Sequence, residues 1–418
     1  MVDTNKKKIV NDPVHGFISI NFPLIFDLIE HPYFQRLRNI KQLGLTYLVY
    51  PGATHSRLQH ALGAMHLLNM AIDTLRSKGL DITAEEAEAA CAAILLHDIG
   101  HGPFSHALEF SIAKEVNHET ISRCFMQRLN GELSGRLSLA MAIFDDEYPK
   151  HFLHQLISGQ LDMDRMDYIK RDSFFSGVTE GAIGSDRIIK MLNVVDDNLV
   201  VDAKGIYSIE KFLIARRLMY WQVYLHKTVV AAEQTLIKML KRAKYLSKNS
   251  IPVDAAPSLM FFLRNDVTNG QFTTSNSEGT QDALYHFSKL DDTDIMFAAK
   301  QWTEHSDPVL AKLAGMVVNR KLPSVLLKNS PFDPLQIERL AAETKAVMPE
   351  ILDDVEYFVF SDSVGIKAYQ PGNEAIKILY NSGQLADIAS ASDILNSRAL
   401  SNEVKKYFIC YPKELRRK

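Results

Sequence analysis

The histidines of this chain are concentrated in one short stretch. Seven of the 14 histidines fall in the 64 residues from His55 to His118 of a 418-residue chain, where an even spread would place roughly two. The centre of the stretch reads HDIGHGPFSH over residues 97–106. Imidazole and carboxylate together bind divalent metals, and imidazole also transfers protons near pH 7. The cluster therefore predicts a metal-dependent hydrolase, whose fold must bring several of these side chains together.

Length and charge limit the class of protein further. A chain of 418 residues is long for one domain, and a hydrophobic fraction of 46% is enough for a substantial core. A net charge of −3 gives no global basic field, so nucleic acid is not the expected partner, although the charge alone does not exclude it. Three widely spaced cysteines indicate a reducing compartment. Without an apolar leader or a long apolar run, we expect a cytoplasmic protein that does not enter a membrane.

The first part of the chain, residues 1–248, is predicted to be a helical domain. Thr83 and Glu86 form a capping-box pattern that opens a helix through Leu96, and a second helix is expected from Ser56 to about Leu75. Further helices are predicted over 161–172 and, because proline and glycine are absent, over 209–246 as one long helix. The fold class predicted for the chain is mainly α, a helical bundle with a smaller C-terminal α+β lobe.

That lobe is predicted to span residues 249–418. Residues 265–282 are rich in polar and small side chains, which favours a loop, and helical patterns resume over 283–316 and 333–345. Aromatic and branched residues predict strands over 355–360 and 376–380. No catalytic pattern is visible in this lobe, and its role is left open.

Three segments offer metal ligands: His60, the pair His97 and Asp98, and Asp164. A mixed histidine and aspartate set favours Fe, Mn, Zn, Ni or Mg over a thiolate-type zinc site. Adjacent residues on a helix point about 100° apart, so His97 and Asp98 can share one ion only near a helix end, which Gly100 indicates.

These residues resemble a known family. The order H…HD…D is the signature of the HD-domain phosphohydrolase superfamily, and the chain is most similar to its dNTP triphosphohydrolase branch. Further similar stretches are NDPVHG at 11–16, FQRLRNIKQLG at 34–44, YPGATHSRLQH at 50–60, residues 162–172 and YLHK at 224–227. The similarity covers roughly residues 8–230.

The resemblance implies roles for five histidines of the cluster. His60, His97, Asp98 and Asp164 are implied as the ligands of one divalent metal, with a second Mg possible alongside the substrate. His106 is implied as the general acid, and Glu109, three residues later, could orient its imidazole. His101 and His118 match positions near the phosphates, although local hydrogen bonding alone would also account for them.

Cations and aromatic residues indicate how a nucleotide would bind. Arg57 precedes His60 by three residues and Arg165 follows Asp164, while Arg216, Tyr220, Tyr224 and Lys227 recur at helical spacing. A solvated helix edge with aromatic packing is the alternative explanation for that last set. The residues implied to contact substrate are Gln42, Leu43, Arg57, Arg165, Tyr168, Asp172, Arg216, Tyr224 and Lys227.

Within that set, Gln42, Tyr168 and Asp172 match deoxyribose contacts and Leu43 a base-pocket residue. Tyr224 matches a ring that excludes a 2′-hydroxyl, which is a steric reason to favour dNTP over NTP. The chain departs from close relatives at Leu225, where they have glutamine, and at Tyr220, where they have histidine. The base preference is therefore open.

An effector site and self-association are implied by the resemblance alone. Lys8–Asn11 and Arg38 are similar to a segment that binds an activating nucleotide between subunits, and Glu30 stands where relatives have an aspartate that contacts the base. A homo-oligomer is the expected assembly.

The leading hypothesis is hydrolysis of a dNTP, dGTP-like, to a deoxynucleoside and inorganic triphosphate. Two alternatives stay open: a nucleotide phosphatase or phosphodiesterase with the same metal chemistry, and a nucleotide-sensing regulator with little turnover. Inorganic triphosphate, orthophosphate, or tight binding without turnover would distinguish the three.

Overall fold

The computed structural model defines residues 8–104, 116–273, 282–351, 353–366, 369, 375–393 and 404–415. Within these residues the protein is mainly α-helical, with strands concentrated in the C-terminal part, and this confirms the predicted fold class. The helices are α1 Pro23–Glu30, α2 Pro32–Gln35, α3 Arg57–Ser77, α4 Ala84–Leu96, α5 His118–Glu132, α6 Ser138–Phe144, α7 His151–Ile157, α8 Met163–Ser176, α9 Ser185–Met191, α10 Ile206–Met219, α11 Lys227–Lys248, α12 Pro257–Arg264, α13 Asn269–Thr273, α14 Ala283–Ser288, α15 Asp292–Trp302, α16 Pro308–Val318, α17 Pro334–Val347 and α18 Ile388–Ala391. The strands are β1 Lys8–Asp12, β2 Gly16–Ile20, β3 Leu192–Val195, β4 Asn198–Asp202, β5 Ser324–Lys328, β6 Phe360–Ile366, β7 Lys377–Leu379, β8 Leu385–Asp387 and β9 Val404–Tyr411.

Helix α3 forms the centre of the helical part. It packs against both α4 and α8, and its buried residues lie on most of its circumference rather than on one stripe. A helix that is apolar nearly all round belongs in a core. Ser56 and Gln59 make a capping box at its start, so a local signal determines where the helix begins.

Helix α4 is buried in the same way, and its small side chains let neighbours approach. Its last eight residues, 89–96, are all buried, and the predicted capping box of Thr83 and Glu86 is confirmed. Burial of this helix places its C-terminal end, where His97 follows, inside the protein rather than at the surface.

The sheets connect distant parts of the chain. Strands β1 and β2 form a hairpin, and β5, β9 and β6 form an antiparallel sheet. In the four-stranded sheet β3–β4–β7–β8, β4 pairs in parallel with β7, with Val201 opposite Ile378. The division near residue 248 stays a prediction, and the chain on either side of it shares this sheet and one hydrophobic core.

The predicted single helix over 209–246 is wrong. Helix α10 ends at Met219, a π-turn covers Tyr220–Tyr224, and α11 begins at Lys227. The Leu225 N–H donates to the Tyr220 carbonyl at 2.7 Å. The hydroxyl of Tyr50 donates to the Gln222 carbonyl at 2.6 Å. Tertiary hydrogen bonds thus stabilise a break that contains neither proline nor glycine.

Two smaller predictions in the C-terminal part are also wrong. Val355–Tyr357 form a 3₁₀ turn, in which Lys238 of α11 donates to the Glu356 carbonyl at 2.9 Å, and the strand begins only at Phe360. Within the predicted loop, Asn269–Thr273 form a short helix. The helical predictions over 283–316 and 333–345 are confirmed, the first as three separate helices.

Among the helices that the structure describes, none combines the length and the apolarity needed to span a bilayer.

The contact between α3 and α8 depends on a glycine, which gives a first prediction. A Cβ at Gly63 would overlap the side chains of Asp167 and Arg171, both fully buried. Gly63→Ala should lower the free energy of unfolding by about 1–3 kcal/mol in urea denaturation, more than any gain in helix propensity offsets. Gly131→Ala in α5 is the matched control, since no atom of the described chain lies within 4 Å of its added Cβ. Equal stability of the two variants would contradict this packing.

Candidate metal centre

Four predicted ligands converge where three helices meet. His60 lies in the first turn of α3, His97 and Asp98 follow α4, and Asp164 lies in the first turn of α8. Asp164 Oδ1 is 3.0 Å from His60 Nε2 and 3.4 Å from His97 Nε2. Asp98 Oδ1 is 3.4 Å from His97 Nε2, and its Oδ2 is 3.8 Å from His60 Nε2. The sequence therefore predicted a real spatial cluster.

Local sequence fixes the position of Asp164. The side chain of Asp162 accepts the Arg165 N–H at 2.6 Å and caps α8, which places Asp164 at the second helical position. A carboxylate there is favoured by the partial positive charge of the helix start.

The turn after His97 is held tightly against α5. A Cβ at Gly100 would overlap backbone atoms of His118 and Ser122, so only glycine fits. The Ser122 hydroxyl accepts the Gly100 N–H at 2.9 Å and donates to the His97 carbonyl at 2.6 Å. These contacts bring His118 beside the metal ligands.

Both ligand imidazoles are oriented through their Nδ1 atoms. His60 Nδ1 is 2.8 Å from Asp167 Oδ2, and His97 Nδ1 is 2.6 Å from the Ile94 carbonyl. Their Nε2 atoms are buried and face the carboxylate of Asp164, at 3.0 Å for His60 and 3.4 Å for His97. Metal-binding histidines show this arrangement, in which Nδ1–H is given to an acceptor and Nε2 faces the ion. The donor set therefore fits a divalent metal.

Sequence reasoning missed the residues that hold Asp167. Its carboxylate also contacts His15 Nε2 at 2.7 Å and Arg171 Nε at 2.9 Å, and Arg171 Nη1 reaches Asp12 at 2.7 Å. Asp167, Arg171 and Asp12 have side chains exposed by at most 3%. Asp12 and His15 belong to the NDPVHG stretch and Asp167 to the 162–172 stretch. Both stretches resemble the family, but sequence reasoning assigned no role to these three residues.

In the absence of metal, the cluster binds protons. Burial alone would lower the pKa of His60, but the carboxylates of Asp164 and Asp167 outweigh burial and raise it to about 10. Burial opposes charge on His97 too, yet Asp98 and Asp164 raise its pKa to about 9. The pKa of Asp164 is lowered, because the adjacent His60 and His97 outweigh its burial.

The predicted phosphate-side residues Arg57, His101 and His118 gather around Asp98. Arg57 Nη1 binds Asp98 Oδ2 at 2.6 Å, and His101 Nε2 lies 3.3 Å from Asp98 Oδ1. The rings of His101 and His118 stack at 3.9 Å. Burial and the charge of Arg57 hold the pKa of His101 well below its ordinary value, so this imidazole is neutral. Asp98, His101 and His118 offer ligand atoms within 4.8 Å of one another.

His106 and Glu109, the predicted general acid and its orienting carboxylate, lie outside the described residues. Their roles stay predictions.

The predicted sugar contacts form one group beside the metal cluster. Tyr224 donates to Asp172 Oδ2 at 2.7 Å, and His55 Nε2 is 2.7 Å from Asp172 Oδ1, a contact that sequence reasoning missed. The ring of Tyr168 is 6.5 Å from that of His60 and 6.2 Å from that of Tyr224. Tyr224 is the last residue of the π-turn.

The other predicted contacts of this region are placed as follows. Gln42 is part-buried, its N–H donates to the His55 carbonyl at 3.0 Å, and its Oε1 has no partner within the described ranges. Leu43 is part-buried against the core.

Two adjoining cavities open beside the metal cluster. One of about 580 Å³ is lined by His97, Asp98, His118 and Asp164. The other, of about 480 Å³, is lined by Arg216, and Arg165 lines both.

The predicted cations occupy different surroundings. Arg165 binds Asp162 and the Gly159 carbonyl. Arg216 is only 8% exposed, and its Nε has no partner within the part of the chain that the structure describes. Lys227 was predicted to share a helix face with Arg216. The break over 220–226 separates the two residues, and Lys227 is exposed at the start of α11.

The predicted effector segment lies on the β1–β2 hairpin and its neighbours. Lys8 pairs with Glu30 at 3.9 Å on the surface, and Arg38 is exposed and donates to Gln35 at 2.5 Å. The effector site stays a prediction.

The structure describes a mainly helical protein with side chains that could hold a divalent metal, and comparison with known proteins gives its class. A model of the HD domain matches residues 57–172, and a model of the HD-associated region matches residues 183–258. The crystal structure of a phosphohydrolase from Bacteroides thetaiotaomicron superposes with a TM-score of 0.93 at 52% identity, covering 97% of this chain and all of that one. The protein belongs to the HD-domain phosphohydrolase superfamily.

Among individual relatives, YwfO of Bacillus subtilis is 31% identical over 98% of this chain and 93% of its own length. Human deoxynucleoside triphosphate triphosphohydrolase SAMHD1 is 33% identical over 270 residues, which are 54% of this chain and 42% of the human protein.

The raised imidazole pKa values predict that metal binding releases protons. At pH 7 the metal-free His60 and His97 are protonated, whereas a metal needs both neutral. Between pH 6 and 8, apparent affinity for Mn²⁺ should therefore rise by up to about a hundredfold per pH unit, corresponding to two protons. Calorimetry in buffers of different ionisation enthalpy measures this release. The surface variant His31→Asn should behave like wild type, and pH-independent affinity would refute the assignment.

Proposed function

We propose that this protein is a metal-dependent dNTP triphosphohydrolase, which converts a dNTP and water to a deoxynucleoside and inorganic triphosphate. The observation that carries the proposal is the convergence of His60, His97, Asp98 and Asp164 beside the group of Tyr168, Asp172 and Tyr224. The first group suits phosphoester hydrolysis, and the second offers hydroxyls and a carboxylate for a sugar.

His60, His97, Asp98 and Asp164 would hold a divalent ion, which supplies Lewis-acid polarisation of a phosphoryl oxygen and lowers the pKa of water. Asp167 holds His60 through its Nδ1, and the Ile94 carbonyl holds His97 in the same way. The Nε2 atoms of both histidines are thereby directed to one point. Arg57 fixes Asp98 by its 2.6 Å bond. Because these contacts are built into the core, the donors need no rearrangement before substrate binds.

In the proposed reaction a water oxygen bonds to the α-phosphorus and the bond from that phosphorus to the 5′-oxygen breaks. His106 donates the proton that the 5′-oxygen needs to leave as a hydroxyl. Arg165 and Arg216 can bind the phosphate oxygens. Arg216 lines the adjoining cavity, which supports this placement of the polyphosphate.

The proposed preference for deoxyribose rests on Tyr224. Its hydroxyl is fixed by Asp172, which His55 holds in turn, so the ring cannot move aside cheaply to admit a 2′-hydroxyl. Similarity to the human deoxynucleoside triphosphate triphosphohydrolase SAMHD1 and to its homolog in Dictyostelium discoideum supports this choice of substrate class.

Product analysis tests the proposed reaction. Protein loaded with Mn, Fe, Mg, Zn or Ni is incubated with each dNTP and NTP, and phosphate, pyrophosphate and triphosphate are separated by ion-exchange chromatography. We expect triphosphate and deoxynucleoside in equal amounts from at least one dNTP and slower release from its NTP. Orthophosphate as the main product would favour a phosphatase, and binding without product would favour a sensor.

Two substitutions separate proton donation from metal binding. His106→Ala should reduce kcat by about 10²-fold or more while metal content stays at wild-type level, because the acid is not a ligand. Asp164→Ala should lose metal and activity together, measured by inductively coupled plasma spectrometry on the same samples. If His106→Ala lost its metal instead, this histidine would be a ligand and the assigned role would be wrong.

A further inference from the structure

Two buried charged side chains hold the backbone around the metal site. Arg36, only 7% exposed, donates from Nη2 to the carbonyls of Ile99 and His101 at 2.7 and 3.0 Å. Its Nη1 donates to the Leu290 carbonyl at 3.2 Å. The turn that carries Asp98 is thereby connected to a residue from the C-terminal part of the chain.

Asp292 makes a second connection from the same part. It is 3% exposed at the start of α15, where Oδ1 accepts the Phe104 N–H at 2.8 Å and Oδ2 accepts the Lys41 N–H at 3.0 Å. It does not cap its own helix, because Asp291 and Asp294 form the capping box. Both carboxylate oxygens of Asp292 therefore accept backbone N–H groups from segments that are distant in sequence.

Each of these N–H groups belongs to a segment next to the site. Lys41 precedes Gln42 and Leu43, and its backbone bridges to Ser56 immediately before α3. Phe104 ends the turn after Asp98 and has a φ of 53°, which non-glycine residues rarely adopt, so a specific hydrogen bond is needed to hold it.

We propose that Asp292 is a positioning residue, through which the C-terminal part of the chain sets both the segment before Gln42 and the turn that follows Asp98. This gives a role to a half of the chain in which the sequence shows no catalytic pattern. The inference rests on the proposed hydrolysis at the metal site, but the backbone contacts can be measured independently of it.

The test compares Asp292→Asn with Asp294→Asn in the full-length, Mn-loaded protein. In Asp292→Asn the new amide retains one acceptor oxygen and presents an NH₂ group to the second N–H, so one of the two bonds is lost. Asp294→Asn weakens the capping box of the same helix, away from the site, and serves as the matched control. Asp292→Ala removes both bonds and extends the series if it folds.

Three readouts are taken on each variant: amide hydrogen exchange of the peptides that contain Lys41 and Phe104, metal content, and kcat and KM. For Asp292→Asn we expect faster exchange in one or both peptides, unchanged metal content, kcat reduced on the order of 10- to 100-fold and KM raised several-fold. A variant that merely unfolded more would lower the apparent kcat and leave KM unchanged. Asp294→Asn should keep wild-type kcat, KM and exchange in both peptides.

The inference is overturned if Asp292→Asn matches Asp294→Asn in kcat and KM, or if exchange accelerates without a loss of rate. Failure of the proposed function is distinct, since wild type would then release no triphosphate from any dNTP. In that case the same variants are compared on the phosphoester that wild type does cleave, and the exchange data stand unchanged.

Discussion

The contact between Asp167 and His60 Nδ1 connects the protein core to the candidate metal centre. Asp167 is fully buried in α8, His60 is fully buried in α3, and the 2.8 Å contact between them directs His60 Nε2 to the point where His97, Asp98 and Asp164 meet. Without Arg171 and His15, the Asp167 carboxylate would be an uncompensated buried charge, which proteins rarely tolerate. The hairpin β1–β2 contributes Asp12 to Arg171, so even the first described strand supports the metal site.

Two sets of contacts hold the candidate site in place. Helices α3, α4 and α8 hold the ligand atoms, whereas Arg36 and Asp292 hold the backbone that follows Asp98 and precedes Gln42. The first set of contacts lies within the HD domain, and the second depends on residues beyond 283.

Much of the candidate site could be predicted from sequence because its signals are local. The resemblance to the HD family implied the ligand set. Local caps explain part of its geometry, since the capping box of Ser56 and the cap Asp162 place His60 and Asp164 in the first turns of their helices. The break over 220–226 could not be predicted, since Tyr50 and the aromatic contacts that stabilise it are distant in sequence. The same holds for Asp292, whose partners lie 188 and 251 residues away. His55 and Asp167 lie in stretches that resemble the family, but their roles became visible only from their contacts in the structure.

The account stands on a single ion bound jointly by His60, His97, Asp98 and Asp164. Anomalous diffraction from Mn-loaded crystals tests this most directly, with data collected on both sides of the manganese absorption edge. We expect one strong anomalous peak in contact with the Nε2 atoms of both histidines and the carboxylates of both aspartates. A peak bound only by Asp98, His101 and His118, or no peak among these residues in metal-saturated crystals, would contradict the account.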